Sequence, residues 1–238
     1  MRTCFSLLVA CLAAVGSANR TFCATVSGVV EITQRERSHE GLQDVVVWLQ
    51  ASRARVGDLP RPEHVQLLQK DKMFHPHVLA VSVGTIVDFP NADPIYHNAF
   101  SSYDGQIFDI GLYPPGTSRS IHFRRAGIVR VFCNIHPTMS AVILVLDTSY
   151  FTKAGRDGTY EIPNVPPGSY LLRVFDERAT AGADVNVPLT VDSSGATETA
   201  PAIHLSELGY VRPSHKNKYG LDYPSWSTDA SSYPGRPQ

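Results

Sequence analysis

The chain has 238 residues, 43% hydrophobic and 18% charged. It is apolar enough to bury a core, too apolar for a mostly disordered protein, and long enough for one large domain or two small ones. Lys and Arg total 21 against 22 for Asp and Glu, a formal charge of -1, which excludes a basic footprint for nucleic acid or an anionic membrane surface. Four Cys are too few for a disulfide scaffold.

Arg2 precedes the apolar run Phe5 to Val15, and Gly16-Ser17-Ala18 supplies small residues for cleavage. This reads as a secretory signal peptide over residues 1–18. Leu8-Val9-Ala10-Cys11 offers a lipoprotein signal as the alternative. The mature chain is then expected to be periplasmic or secreted. It keeps two cysteines, Cys23 and Cys133. Cys23 has no partner and reads as a buried or near-terminal free thiol, or a dimer link.

After residue 20 helical periodicity is absent. Short β-branched runs alternate with Gly, Pro, Asn and Asp, which predicts an all-β protein. The expected strands are 24–32, 45–49, 64–68, 78–83, 85–89, 118–123, 128–133, 141–146, 158–162 and 170–175. Residues 50–62 read as a linker, and 207–238, rich in Tyr, Ser, Pro and Gly, as an extended, poorly ordered tail whose tyrosines could lie along a domain surface. In strand 128–133, Val129, Val131 and Cys133 share the small apolar face expected to look inward. Strand 141–146 is apolar on both faces, so something besides its own sheet should cover the second.

The chemistry sits in Cys133-Asn134-Ile135-His136-Pro137-Thr138-Met139, with His97 36 residues upstream of Cys133. Soft sulfur with imidazole selects copper or zinc over hard cations. Two His and one Cys in a plane, with a weak axial Met, specify a blue-copper electron-transfer site. The expected metal ligands are therefore His97, Cys133, His136 and Met139, holding one type 1 copper. Ile135, Pro137 and Thr138 beside His136 are uncharged, as are Pro94, Ile95 and Tyr96 before His97. Such a patch is easily dried by a docking partner. Of the other histidines, His77, with His75 two residues before it, is the one considered as an extra metal or proton ligand. His39, His64, His122, His204 and His215 read as surface residues.

In these residues the sequence resembles the cupredoxins of the amicyanin and plastocyanin kind. The resemblance covers 63–148: the entry Phe74-His75-Pro76-His77-Val78, the turn Val83-Gly84-Thr85, Val87-Asp88-Phe89-Pro90-Asn91 leading to His97-Asn98, then Phe123, Gly127 and the ligand loop. It implies a Greek-key β-sandwich in which Asn98 binds no metal but pins the two ligand loops together.

Residues 155–175 read as a hairpin turn at Asp157-Gly158, a short strand, a Pro-Pro-Gly turn and another strand. They resemble the second half of a carboxypeptidase regulatory-like domain, a small Ig-type sandwich, whose first half matches Val26-Ser27-Gly28-Val29-Val30 and Asp44-Val45-Val46-Val47-Trp48. The expected order is thus a first sandwich part over 24–50, an inserted cupredoxin over 63–148, a second sandwich part over 149–206, and the tail. Simple tandem order is the alternative. The combination resembles bacterial methylamine-utilisation or plastocyanin-like proteins. No zinc-protease helix motif or nucleophile elbow occurs. The function expected is an exported, non-enzymatic carrier of single electrons between redox protein partners. A periplasmic copper carrier or storage protein without redox turnover is the alternative.

Overall fold

A computed structural model describes residues 22–34, 42–53, 62–102, 105–183, 185–212 and 214–223. The expected signal peptide over 1–18, most of the expected 50–62 linker, His39 and residues 224–238 lie outside the described residues.

The described chain is all-β, with 18 strands. The first two are β1 (Ala24–Gln34) and β2 (Val46–Ala51). A middle group follows: β3 (His64–Gln66), β4 (Leu68–Lys70), β5 (Met73–His75), β6 (Val78–Ser82), β7 (Ile86–Pro90), β8 (Phe100–Ser101), β9 (Phe108–Asp109), β10 (Ser118–His122), β11 (Gly127–Phe132) and β12 (Ser140–Leu146). The last group is β13 (Phe151–Lys153), β14 (Thr159–Val165), β15 (Gly168–Phe175), β16 (Val187–Val191), β17 (Glu198–Thr199) and β18 (Ile203–Ser206).

The middle group forms a sandwich of the sheets β10-β7-β3 and β6-β12-β11-β8-β9. Val87 and Phe89 from one sheet meet Val129, Val131, Ile143 and Val145 from the other, all buried. Cys133 continues the inward face of β11 and is itself buried in this core. The strand's small apolar parity thus delivers the sulfur to the interior end of the sandwich.

The flanking groups interleave. β1 pairs antiparallel with β14 and parallel with β17 and β18, while β2 lies between β13 and β15. Their shared core includes Val26, Val47, Leu49, Ile162, Leu172 and Leu205. Asp157-Gly158 is not the hairpin turn expected from the sequence, and neither it nor the Pro166-Pro167-Gly168 turn joins neighbours within one sheet. Each carries the chain across to the opposite sheet, β13 to β14 and β14 to β15. The local turn chemistry is as expected: Gly158 has φ +87° and donates to Gly155 O at 3.0 Å. A Cβ on Gly158 would lie 2.1 Å from Val30 O, so only glycine fits where the turn abuts β1.

The second face of β12 is covered by the flanking sandwich. Val142, Leu144 and Leu146 pack with Val46 and Phe175, and with the partly buried Trp48 and Phe151. Polar ties flank this contact. Lys153 Nζ donates to Val78 O at 2.9 Å, and His77 Nε2 meets Glu177 Oε2 at 2.5 Å. Within the expected tail over 207–238, residues 214–223 are docked and not loose: they pack on the end of the middle sandwich that carries Cys133, with Tyr223 against its surface as the sequence allowed for the tyrosines. Among the described residues no helix is long and apolar enough to cross a membrane.

Candidate metal centre

Two segments meet at the end of the middle sandwich. The first brings His97 from the connection between β7 and β8. Its backbone exchanges bonds with Tyr113, His97 N to Tyr113 O at 3.3 Å and Tyr113 N to His97 O at 2.9 Å. The buried Tyr113 hydroxyl then donates to Gln69 Oε1 and Phe89 O at 2.7 and 2.9 Å. Gln69 Nε2 donates to Asn98 O at 3.2 Å, so the segment is held from both sides.

The second segment is the loop from β11 to β12. Cys133 N donates to Met139 O at 3.1 Å, and Met139 N donates to His136 O at 3.0 Å. These bonds close the loop on itself between Cys133 and Met139. Asn134 N donates to Asn98 Oδ1 at 2.6 Å, joining the two segments as the sequence resemblance implied.

Cys133 Sγ lies 3.7 Å from His97 Nδ1 and 3.8 Å from His136 Nδ1, and the three donor atoms all fall within 4.8 Å of one another. Bonds of about 2.3 Å to sulfur and about 2.0 Å to nitrogen, opened to a trigonal angle, place S and N about 3.7 Å apart. The residues therefore fit a metal held in a near-trigonal plane. Met139 is fully buried in the core that contains Cys133.

The expectation of no charge beside His97 is wrong. Asp93, four residues before it and buried, accepts from His97 Nε2 at 2.7 Å. A carboxylate on Nε2 fixes the proton there and leaves the Nδ1 lone pair for a metal. The same carboxylate accepts from Asp71 N at 2.7 Å and Lys72 N at 2.9 Å. Asp71 and Lys72 form the turn between β4 and β5 with φ +55° and +57°, a left-handed pair that ordinary side chains adopt only when held. The backbone partners of Asp93 lie 22 and 21 residues upstream, so its only local signal in the sequence is the four-residue spacing to His97.

Burial lowers the His97 pKa despite Asp93. Burial, with His97 and Lys72 nearby, pulls His136 down to about 4. Burial pushes the Cys133 thiol up. The metal-free site thus holds two neutral imidazoles ready to bind and one thiol that must release its proton as a metal enters.

The other histidines stand apart from the three donors. His75 Nε2 contacts Lys70 O at 3.2 Å. His77 is committed to Ser140 O through Nδ1 and Glu177 through Nε2. His64, His122 and His204 are exposed, as is the free thiol Cys23. His215 is not a simple surface residue. Its ring stacks on Phe132 at 3.9 Å, and its Nε2 bonds Pro137 O at 2.8 Å.

No family model matches the chain. Over 60 residues it is 40% identical to the methylamine utilization protein MauL of Methylorubrum extorquens, covering 25% of this chain and 53% of that one. The chain thus spans about half the length of the curated relative it matches. Among solved structures, a Cu-containing nitrite reductase from Thermus scotoductus aligns at 28% identity, covering 39% of this chain and 25% of that chain with a TM-score of 0.33. An oxidised amicyanin variant aligns at 17% identity, covering 43% and 99%, with a TM-score of 0.33.

Proposed function

We propose that the chain is an exported type 1 copper protein that passes single electrons between redox partners. The observation that carries this reading is the close set of Cys133 Sγ, His97 Nδ1 and His136 Nδ1, which would hold the copper, with Met139, buried in the same core as Cys133, as the residue that would complete the site. Bound copper supplies one-electron chemistry between +1 and +2, coupled to the protein through the Cys133 thiolate.

The chain's own residues do the rest. Asp93 holds the His97 ring in one tautomer, and Asn98 keeps the two ligand segments in register. A site fixed by such bonds moves little when its charge changes. The buried His97, Cys133 and Met139 exclude water and leave no open position for a substrate, so we read a carrier and not an enzyme. His136, half-buried, offers a ring edge toward the surface.

We read the middle sandwich (63–148) as a cupredoxin. The flanking strands, which resemble a carboxypeptidase regulatory-like sandwich, serve as its scaffold. The partial match to a methylamine utilization protein supports a donor or acceptor in oxidation of such amines.

Voltammetry of the copper-loaded protein tests the reading. A single reversible one-electron wave is expected. Loss of the metal on reduction would instead favour a carrier or storage role.

A further inference from the structure

Segment 214–223 takes three bonding positions on the ligand loop. His215 Nε2 bonds Pro137 O at 2.8 Å, Lys218 N donates to Asn134 Oδ1 at 2.9 Å, and the Tyr223 hydroxyl donates to Cys133 O at 2.8 Å. An ion pair between Lys218 Nζ and Asp109 Oδ2 at 2.8 Å anchors the segment to β9.

The Tyr223 bond differs in kind from the other two. Its acceptor is the carbonyl of the residue whose sulfur faces the two imidazoles. From that sulfur a continuous path runs through Cβ, Cα and the carbonyl, across one hydrogen bond, into an aromatic ring. Electron tunnelling decays more slowly through covalent and hydrogen bonds than across gaps, so this path couples strongly. The ring is half-buried, and beside it in sequence Tyr219 is 70% and Leu221 64% exposed. Exposed apolar side chains around a conducting ring suit the small, transient contacts of electron-transfer partners.

We propose that Tyr223 is an electron port, through which a one-electron redox protein docked on segment 214–223 exchanges electrons with the site. This rests on the copper reading above. The partner loses one electron, the bound copper goes from +2 to +1, and no bond is made or broken. The phenol keeps its proton and is not itself oxidised. Burial, with Cys133 nearby, holds its pKa above the ordinary value.

The test uses the full copper-loaded chain with Cys23→Ser and a ruthenium photosensitiser on one added cysteine. The label is placed either at Leu221→Cys, beside Tyr223, or at Leu112→Cys, beside the His97–Tyr113 bridge. Flash reduction of the label then times the bleaching of the Cu(II) band. Tyr223→Phe, which deletes the hydrogen bond in the path, should slow transfer from position 221 several-fold. Transfer from 112, the absorption spectrum and the potential should not change. Equal rates from 221 with and without the hydroxyl would overturn the port. Hydrogen exchange of the zinc-loaded protein shows whether the segment stays docked. In a Lys218→Ala protein whose hydrogen exchange shows the segment still docked, the phenol keeps its bond and the rate from 221 should stay at the wild-type value; a fall there as large as that of Tyr223→Phe would assign the effect to the packing of the segment and overturn the route. A wild-type protein that takes up Cu(II) without colour would instead refute the copper reading beneath it.

Discussion

Asp93 Oδ2 lies 2.7 Å from His97 Nε2, and both side chains are buried. One carboxylate therefore orients a candidate ligand and also holds the left-handed turn at Asp71-Lys72. Asp93→Asn keeps the shape but allows the amide to present an N–H to the ring. We expect metal affinity to fall about 10–100-fold, as for loss of other outer-shell carboxylates. Competition titration against a chelator measures it, and wild-type affinity would show that the ring is fixed by other means.

The contact between the two sandwiches is expected to depend on pH through His77 and Glu177. The bond to Glu177 raises the His77 pKa above 6.5, outweighing burial. Burial opposes charge on Glu177, but the bond and charge of His77, with Arg130 and Arg212 nearby, together outweigh it and hold the carboxyl below 4.5. The His77 contribution is complete below 6.5 and is lost as pH rises through its folded pKa. The Glu177 contribution is complete above 4.5 and is lost as pH falls through its folded pKa. The pair should therefore stabilise most between about pH 4.5 and 6.5. Thermal midpoints of wild type and Glu177→Gln should differ most there and converge at higher pH. A difference independent of pH would contradict the assignment.

Leu144 is buried on the face of β12 turned toward the flanking sandwich. Leu144→Ala should cost about 2–5 kcal/mol. Because Val46 shares that cluster, hydrogen exchange should accelerate in β2 as well as in β12. Faster exchange confined to the middle sandwich would mean that the flanking strands do not rely on this contact.

The ligand loop was legible because its information is local. Cys133, His136 and Met139 lie within seven residues, and the parity of β11 alone sends Cys133 inward. The two-sided apolar run in β12 announced a covering layer for the same reason. The sheet that a strand joins is a tertiary matter, so Asp157-Gly158 is legible as a turn while its crossing to the opposite sheet is not. β17 is two residues long and β16 contains Pro188, leaving little pattern to detect. Asp93 and Tyr223 act through bonds to distant backbone atoms, 90 residues away for Tyr223 and Cys133. No periodicity marks such residues.

The central claim is that Cys133 binds copper directly, in the plane of two imidazoles. The most direct test is the visible absorption of the protein loaded with one equivalent of Cu(II), beside Cys133→Ser treated alike. The account predicts an intense thiolate-to-copper band in the wild type, absent from a Cys133→Ser protein that remains folded. A colourless wild-type protein holding stoichiometric Cu(II), or a band that survives Cys133→Ser, would contradict it.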